Sequence, residues 1–172
     1  MNKTYVLSGY FAEILITSSL HFGHVKYISE VLHRMDESDR MIIIVNNEKQ
    51  RLKKYNNLEG ISTDAKIKLF SPGSTIQIVE RLKELYPNNG IRVMISKSDD
   101  QTVCQDLENI AWFYADRKQV VFVKDGGEYN SGNLPEFGIK GITFMFLEDP
   151  KEASASEIIK KYSKNQEKVS KV

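Results

Sequence analysis

This chain of 172 residues holds one cysteine, one tryptophan, four prolines and three histidines. A lone Cys104 excludes an intrachain disulfide and any cysteine-rich zinc centre, and fits a reducing, cytoplasmic setting. No apolar run approaches the ~20 residues that cross a bilayer. The opening Met-Asn-Lys-Thr-Tyr-Val-Leu-Ser-Gly lacks the apolar core of a signal peptide. Charge of one sign is missing as well, since 24 Lys and Arg against 23 Asp and Glu leave a net +1. Nothing global therefore draws the chain to nucleic acid or to a membrane surface, although a local phosphate site stays open. There is no internal repeat and no sign of a second domain. Residues 1–162 read as one domain, long enough to bury a core without staples, and residues 163–172 as a polar, basic tail.

What is present is an alternation of short apolar runs with amphipathic ones. Tyr5–Ser8, Met41–Val45, Arg92–Ile95, Val120–Val123 and Ile142–Leu147 are apolar at nearly every position, as strands covered on both faces are. Between them lie helical periodicities. The first runs from Phe22 to Met35, with Val25, Ile28, Val31 and Leu32 on one face. The second starts at Ser74 and sets Ile78, Val79, Leu82 and Leu85 inward. The third follows Asp99-Asp100, which read as its caps, and carries Val103, Leu107, Ile110 and Phe113. Trp112, Phe113 and Tyr114 are expected to pack. A fourth helix begins at Ser156. The alternation predicts an α/β fold with a doubly wound, parallel five-stranded sheet, Rossmann-like, whose ligand lies beyond the carboxyl ends of the strands. Residues 46–71 read as a long polar loop, with Lys49, Arg51, Lys53 and Lys54 forming a solvated basic face.

Two of the three histidines fall in one tetrapeptide, His21-Phe22-Gly23-His24, at the junction from the first strand to the first helix. A helix start gathers unpaired backbone N–H groups and partial positive charge, which makes it a seat for phosphate. Imidazoles three residues apart share one side of the first turn, and Gly23 keeps no side chain between a phosphate and the backbone. The plainer alternative is that His21 precedes the helix and His24 packs under the sheet. Lys124-Asp125-Gly126-Gly127 follows the fourth strand and Ser154-Ala155-Ser156 follows the fifth, both at the same end of the sheet. By themselves these are a turn and a helix N-cap. Met94-Ile95-Ser96-Lys97-Ser98 is similar to the lysine–serine loop of class I aminoacyl-tRNA synthetases. It closes the third strand, not the last, and is read as coincidence.

Together these blocks resemble the cytidylyltransferase-like nucleotidyltransferases, above all the small glycerol-3-phosphate cytidylyltransferases and the nucleotidyltransferase half of ADP-heptose synthases. Gly9-Tyr10-Phe11 and then Leu20-His21-Phe22-Gly23-His24-Val25 resemble the family's G-[TC]-F-D-x-x-H-x-G-H-V. Val45-Asn46-Asn47-Glu48 is similar to V-N-S-D, Val123–Tyr129 to V-K-G-G-D-Y with one residue added, and Ser154–Lys161 to S-T-T-x-I-I-x-K. The match runs over about residues 5 to 162. The chain departs from the pattern at Ala12, where the family has aspartate, in some six residues inserted before His21, and at Ala155 and Ile159.

The resemblance implies transfer of a nucleoside monophosphate from CTP or ATP to a small phosphorylated acceptor, a sugar or polyol phosphate, with release of pyrophosphate. His21 and His24 would hold the triphosphate and the transition state, and Lys53 or Lys54 the acceptor phosphate. Gly9, Tyr10, Phe11 and Gly23 would line the phosphate side of the cleft, and Lys124, Gly126 and Gly127 the base and ribose side. Ser154, Ala155 and Ser156 would bind the β- and γ-phosphates. Arg81 is matched to a family arginine only through a gap. Mg²⁺ would come with the triphosphate, no protein metal site is implied, and a homodimer follows by analogy. A second reading, suggested by the departures, keeps the nucleotide but not the reaction, as in a regulatory or assembly factor.

Overall fold

A computed structural model of the chain describes residues 2–9, 11, 22–56, 74–113, 119–125 and 134–147. The strands are β1 (Thr4–Gly9), β2 (Arg40–Val45), β3 (Ile91–Ile95), β4 (Val120–Asp125) and β5 (Thr143–Leu147). The helices are α1 (Phe22–Arg34), α2 (Glu48–Asn56), α3 (Ser74–Leu85) and α4 (Cys104–Phe113), with a 3-10 turn at Pro135–Gly138. All strand pairs are parallel, in the order β3-β2-β1-β4-β5. The chain is therefore a doubly wound α/β, Rossmann-like fold. Each of the five expected strands is found, with ends displaced by one or two residues.

Period-2 alternation divides the strands between two cores. Tyr5, Leu7, Ile43 and Val123 face α1 and α3, meeting Ile28, Val31, Ile78 and Leu82. Val6, Ile44, Val120 and Phe122 face the other way, onto Leu107 and Ile110 of α4 and Ile139 after the 3-10 turn. Both faces are covered, so the central strands tolerate no polar alternation; Met41 to Val45 are all buried.

The partition follows from chain direction. From β1 through β2 to β3 the chain moves outward with its helices on one face. From β3 it returns past β1 to β4 and β5 with α4 on the other, as crossovers of one hand require. β1 and β4 are neighbours, yet the segments leaving them serve opposite faces. In sheets of this kind the crevice lies at the carboxyl ends of such a pair.

Several expectations need correction. The stretch after β2 begins as α2 and not as a loop, and within it Arg51 is 1% exposed, no part of a solvated face. Leu85 closes α3 on the open side, and Val25 of α1 is also largely exposed. Trp112 and Phe113 are not buried as expected: they are 86% and 75% exposed. At spacings of three and four, Leu107, Ile110 and Ala111 use up the inward stripe of a ten-residue helix, and its last residues pass the sheet's edge. Tyr114, the fourth helix at Ser156 and the tail lie outside the described residues. Among those described, no helix is long and apolar enough to cross a membrane.

Candidate functional site

Gly9 ends β1 at the crevice, and its carbonyl accepts the N–H of Asn46 at 3.0 Å, so β1 and β2 stay joined up to their last residues. Above Gly9 lies Phe11. A Cβ on residue 9 would stand 3.1 Å from Phe11 Cε2, so the missing side chain makes room for this ring. Phe11 has φ of 47°, a left-handed conformation unusual for a bulky residue and worth about 1–3 kcal/mol of strain. Its ring is 1% exposed, and burial of an aromatic holds the bend in place.

His24 sits in the first turn of α1, half-buried, its ring centroid 4.8 Å from that of Phe11 at an interplanar angle of 48°. One turn on, the Tyr27 hydroxyl donates to the carbonyl of Val123 in β4. Phe11 and Tyr27 thus fix α1 over the ends of both strands that bound the crevice. Across it, Lys124 Nζ donates to Ser8 Oγ at 2.8 Å and lies 4.9 Å from the centroid of Phe122. Ser8 and Lys124 lie near the ends of two adjacent strands, on the face opposite α1. The carboxyl ends of β1 and β4 therefore carry a helix start with an imidazole on one face of the sheet and a tethered ammonium on the other. Such a pairing of N–H dipoles and fixed cation suits an anionic ligand.

Of the residues selected from sequence, the structure brings together Gly9, Phe11, His24 and Lys124. Phe11 supports the site from below with a buried ring and offers a ligand no side chain, which corrects its assignment as a lining group. Gly23 lies in the same first turn of α1. Lys53 is elsewhere: on α2, with Nζ 3.5 Å from the carbonyl of Asp99, over the end of β3. Lys54 is in the backbone of the same helix. Arg81 is engaged on α3 by Glu84 at 3.4 Å. Tyr10, His21, Gly126, Gly127, Ser154, Ala155 and Ser156 lie outside the described residues.

The V-N-S-D-like block has a structural task. Asn47 caps α2 reciprocally with Gln50: Gln50 N–H donates to Asn47 Oδ1 at 2.9 Å, and Asn47 N–H to Gln50 Oε1 at 2.8 Å. The remaining amide hydrogens hold the segment after β3, Asn47 through the carbonyls of Ser96 and Ser98, Gln50 through those of Asp100 and Thr102. The synthetase-like serines are committed too. Ser96 and Ser98 are buried and donate to Asp106 Oδ2 at 2.5 and 3.0 Å, while Lys97 N–H donates to Oδ1 at 2.8 Å. That the segment is no phosphate loop agrees with its reading as coincidence.

Asp100 does not cap α4. It closes an Asx turn, accepting the N–H and hydroxyl of Thr102 at 2.9 and 2.7 Å, and the Thr102 hydroxyl holds its carboxyl below the usual carboxylate range. Asp99 pairs with Lys49 at 3.6 Å on the surface. Burial pushes the Cys104 thiol up, as for a small core residue.

Sequence reasoning missed Ser8 and Tyr27. Tyr27 was within reach, since it follows His24 by three residues and shares its side of the helix. Ser8 could be found only by pairing β1 with β4, which needs the topology. Comparison with protein-family models and with curated proteins found no match for this chain.

Proposed function

We propose that this protein is a nucleotidyltransferase, transferring a nucleoside monophosphate from CTP or ATP to a small phosphorylated acceptor such as a sugar or polyol phosphate. The observation that carries the reading is the position of His24. It stands at the start of α1, over the point where the sheet reverses direction, with Lys124 tethered to Ser8 across the crevice. This is where a triphosphate gains most from N–H dipoles and fixed cations.

In the proposed reaction an oxygen of the acceptor's phosphate forms a bond to the α-phosphorus. The bond from that phosphorus to the bridging oxygen breaks, and its electron pair leaves with pyrophosphate. The protein's part is placement and charge stabilisation, not covalent chemistry. His24 donates to the α-phosphate oxygens as charge grows on them, joined in the family pattern by His21. Lys124 orients the nucleoside end. Mg²⁺ enters with the triphosphate as part of the substrate. Among the described residues no three His, Cys, Asp or Glu side chains group to hold a metal.

The test is pyrophosphate release from CTP or ATP with a panel of sugar and polyol phosphates. Turnover is expected with one pairing, and His24→Ala is expected to lower it by about 10²–10³ with an unchanged circular dichroism spectrum. A loss below tenfold counts against the assignment. Saturable nucleotide binding without turnover on any acceptor selects the non-catalytic reading instead.

A further inference from the structure

Among the described residues β3 is an edge strand of the sheet. In a parallel ladder a residue turns both backbone groups to one side, and successive residues alternate. Ser96 N–H donates to Val45 at 2.8 Å, and the Gly90 carbonyl accepts from Met41 at 2.7 Å, so the even-numbered residues serve β2. Val93 and Ile95 therefore aim their N–H and C=O groups outward, and no strand among the described residues pairs with them. β3 also lacks the usual blocks against pairing: it holds no proline and one charge, Arg92.

A cavity flanks this edge on each face of the sheet. On the α4 side about 330 Å³ opens over Ile42, Met94, Ile110 and the exposed Phe113, with Lys97 and Arg92 at its rim. On the α3 side about 460 Å³ opens between Lys83, Tyr86, Asn88 and Arg92. The two share Arg92 and Val93. An extended chain laid on β3 sends its side chains alternately to the two faces, which is what one cavity per face receives.

Charge selects the occupant. The one acid lining either cavity, Asp106, is buried and satisfied by Ser96, Lys97 and Ser98. The exposed charges that line them are the cations Arg92, Lys97 and Lys83, the last also paired with Glu80 at 3.7 Å. Two copies joined edge to edge would set these cations against each other. The chain's own last ten residues carry Lys164, Lys168 and Lys171 against Glu167, again the wrong sign. We propose that the outer edge of β3 docks an extended segment of a partner protein, alternating acidic with large apolar residues, as a sixth strand. The apolar residues enter the α4-side cavity, and the acidic ones, turned to the α3 side, meet Lys83 and the shared Arg92. This inference does not depend on the nucleotide reading, since β2 separates β3 from β1.

The test uses the full chain and a fluorescein-labelled nonapeptide alternating glutamate with leucine and phenylalanine, followed by anisotropy. Saturable binding is expected, with slowed hydrogen exchange at the Val93 and Ile95 amides. Val93→Pro removes an outward N–H and leaves the β2 ladder intact, and is expected to weaken binding at least tenfold. The doubly reversed Lys83→Glu, Arg92→Glu variant, altered only at exposed side chains, is expected to do the same. Absence of saturable binding overturns the proposal. So does equal binding of a lysine-for-glutamate peptide, or binding indifferent to both variants. A concentration-dependent dimer abolished by Val93→Pro also overturns it, because the edge would then serve a second copy.

Discussion

Asp106 shows how much one carboxylate can organise. It is 1% exposed and accepts from two hydroxyls and a backbone N–H, so truncation strands three buried donors at once. Asp106→Ala is expected to cost about 3 kcal/mol in urea unfolding, the sum of several unmade hydrogen bonds. Asp106→Asn, which keeps one acceptor oxygen, is expected to recover about half of that. Gly9 poses the opposite problem, where adding atoms does the harm. A methyl group there meets Phe11 at 3.1 Å and must displace a ring already held at positive φ. Gly9→Ala is expected to lower stability by about 1–3 kcal/mol and to reduce pyrophosphate release beyond that, because His24 rests on the ring that moves. The sequence singled out Gly9, Phe11, His24 and Lys124 through their placement after strands. It did not reveal that Phe11 acts from inside the core, because burial depends on the bend at that residue and not on its hydrophobicity.

At the level of elements, periodicity was a good guide where both faces of a strand or one full stripe of a helix were apolar. β2 was legible because five successive apolar residues have only one way to be covered on both sides. α2 was not legible. Its sequence, Glu-Lys-Gln-Arg-Leu-Lys-Lys-Tyr-Asn, has almost no apolar stripe, and it is held by its start and not by its face. The reciprocal cap of Asn47 and Gln50, with four further bonds to the segment after β3, supplies that hold. Asn47→Ala is expected to cost about 1 kcal/mol for the cap alone. It is further expected to speed hydrogen exchange across residues 96–102 while leaving β1 and β4 protected. Arg51 was misread for a related reason: within a run of lysines, nothing in the sequence marks it as a cation that turns inward.

Across the whole molecule, the doubly wound sheet decides where chemistry can occur and where surfaces stay open. The strand order, and with it the neighbourhood of β1 and β4, needed the structure, whereas a doubly wound parallel sheet followed from alternation and the one-handedness of crossovers. The fate of α4's last residues did not, because a helix that outruns its sheet keeps the same periodicity while losing its partner. Trp112 gives a direct check, as the only tryptophan in the chain. Its fluorescence in the native protein is expected to be quenched by iodide as fully as in the unfolded chain. Trp112→Ser is expected to change stability by no more than about 0.5 kcal/mol.

The bond from Tyr27 to the Val123 carbonyl has a mechanical consequence. It crosses from the second turn of α1 to the strand that forms the far wall of the crevice. The helix start and the end of β4 must therefore travel as one rigid body. Relaxation-dispersion measurements are expected to find Tyr27 and Val123 sharing a single exchange rate.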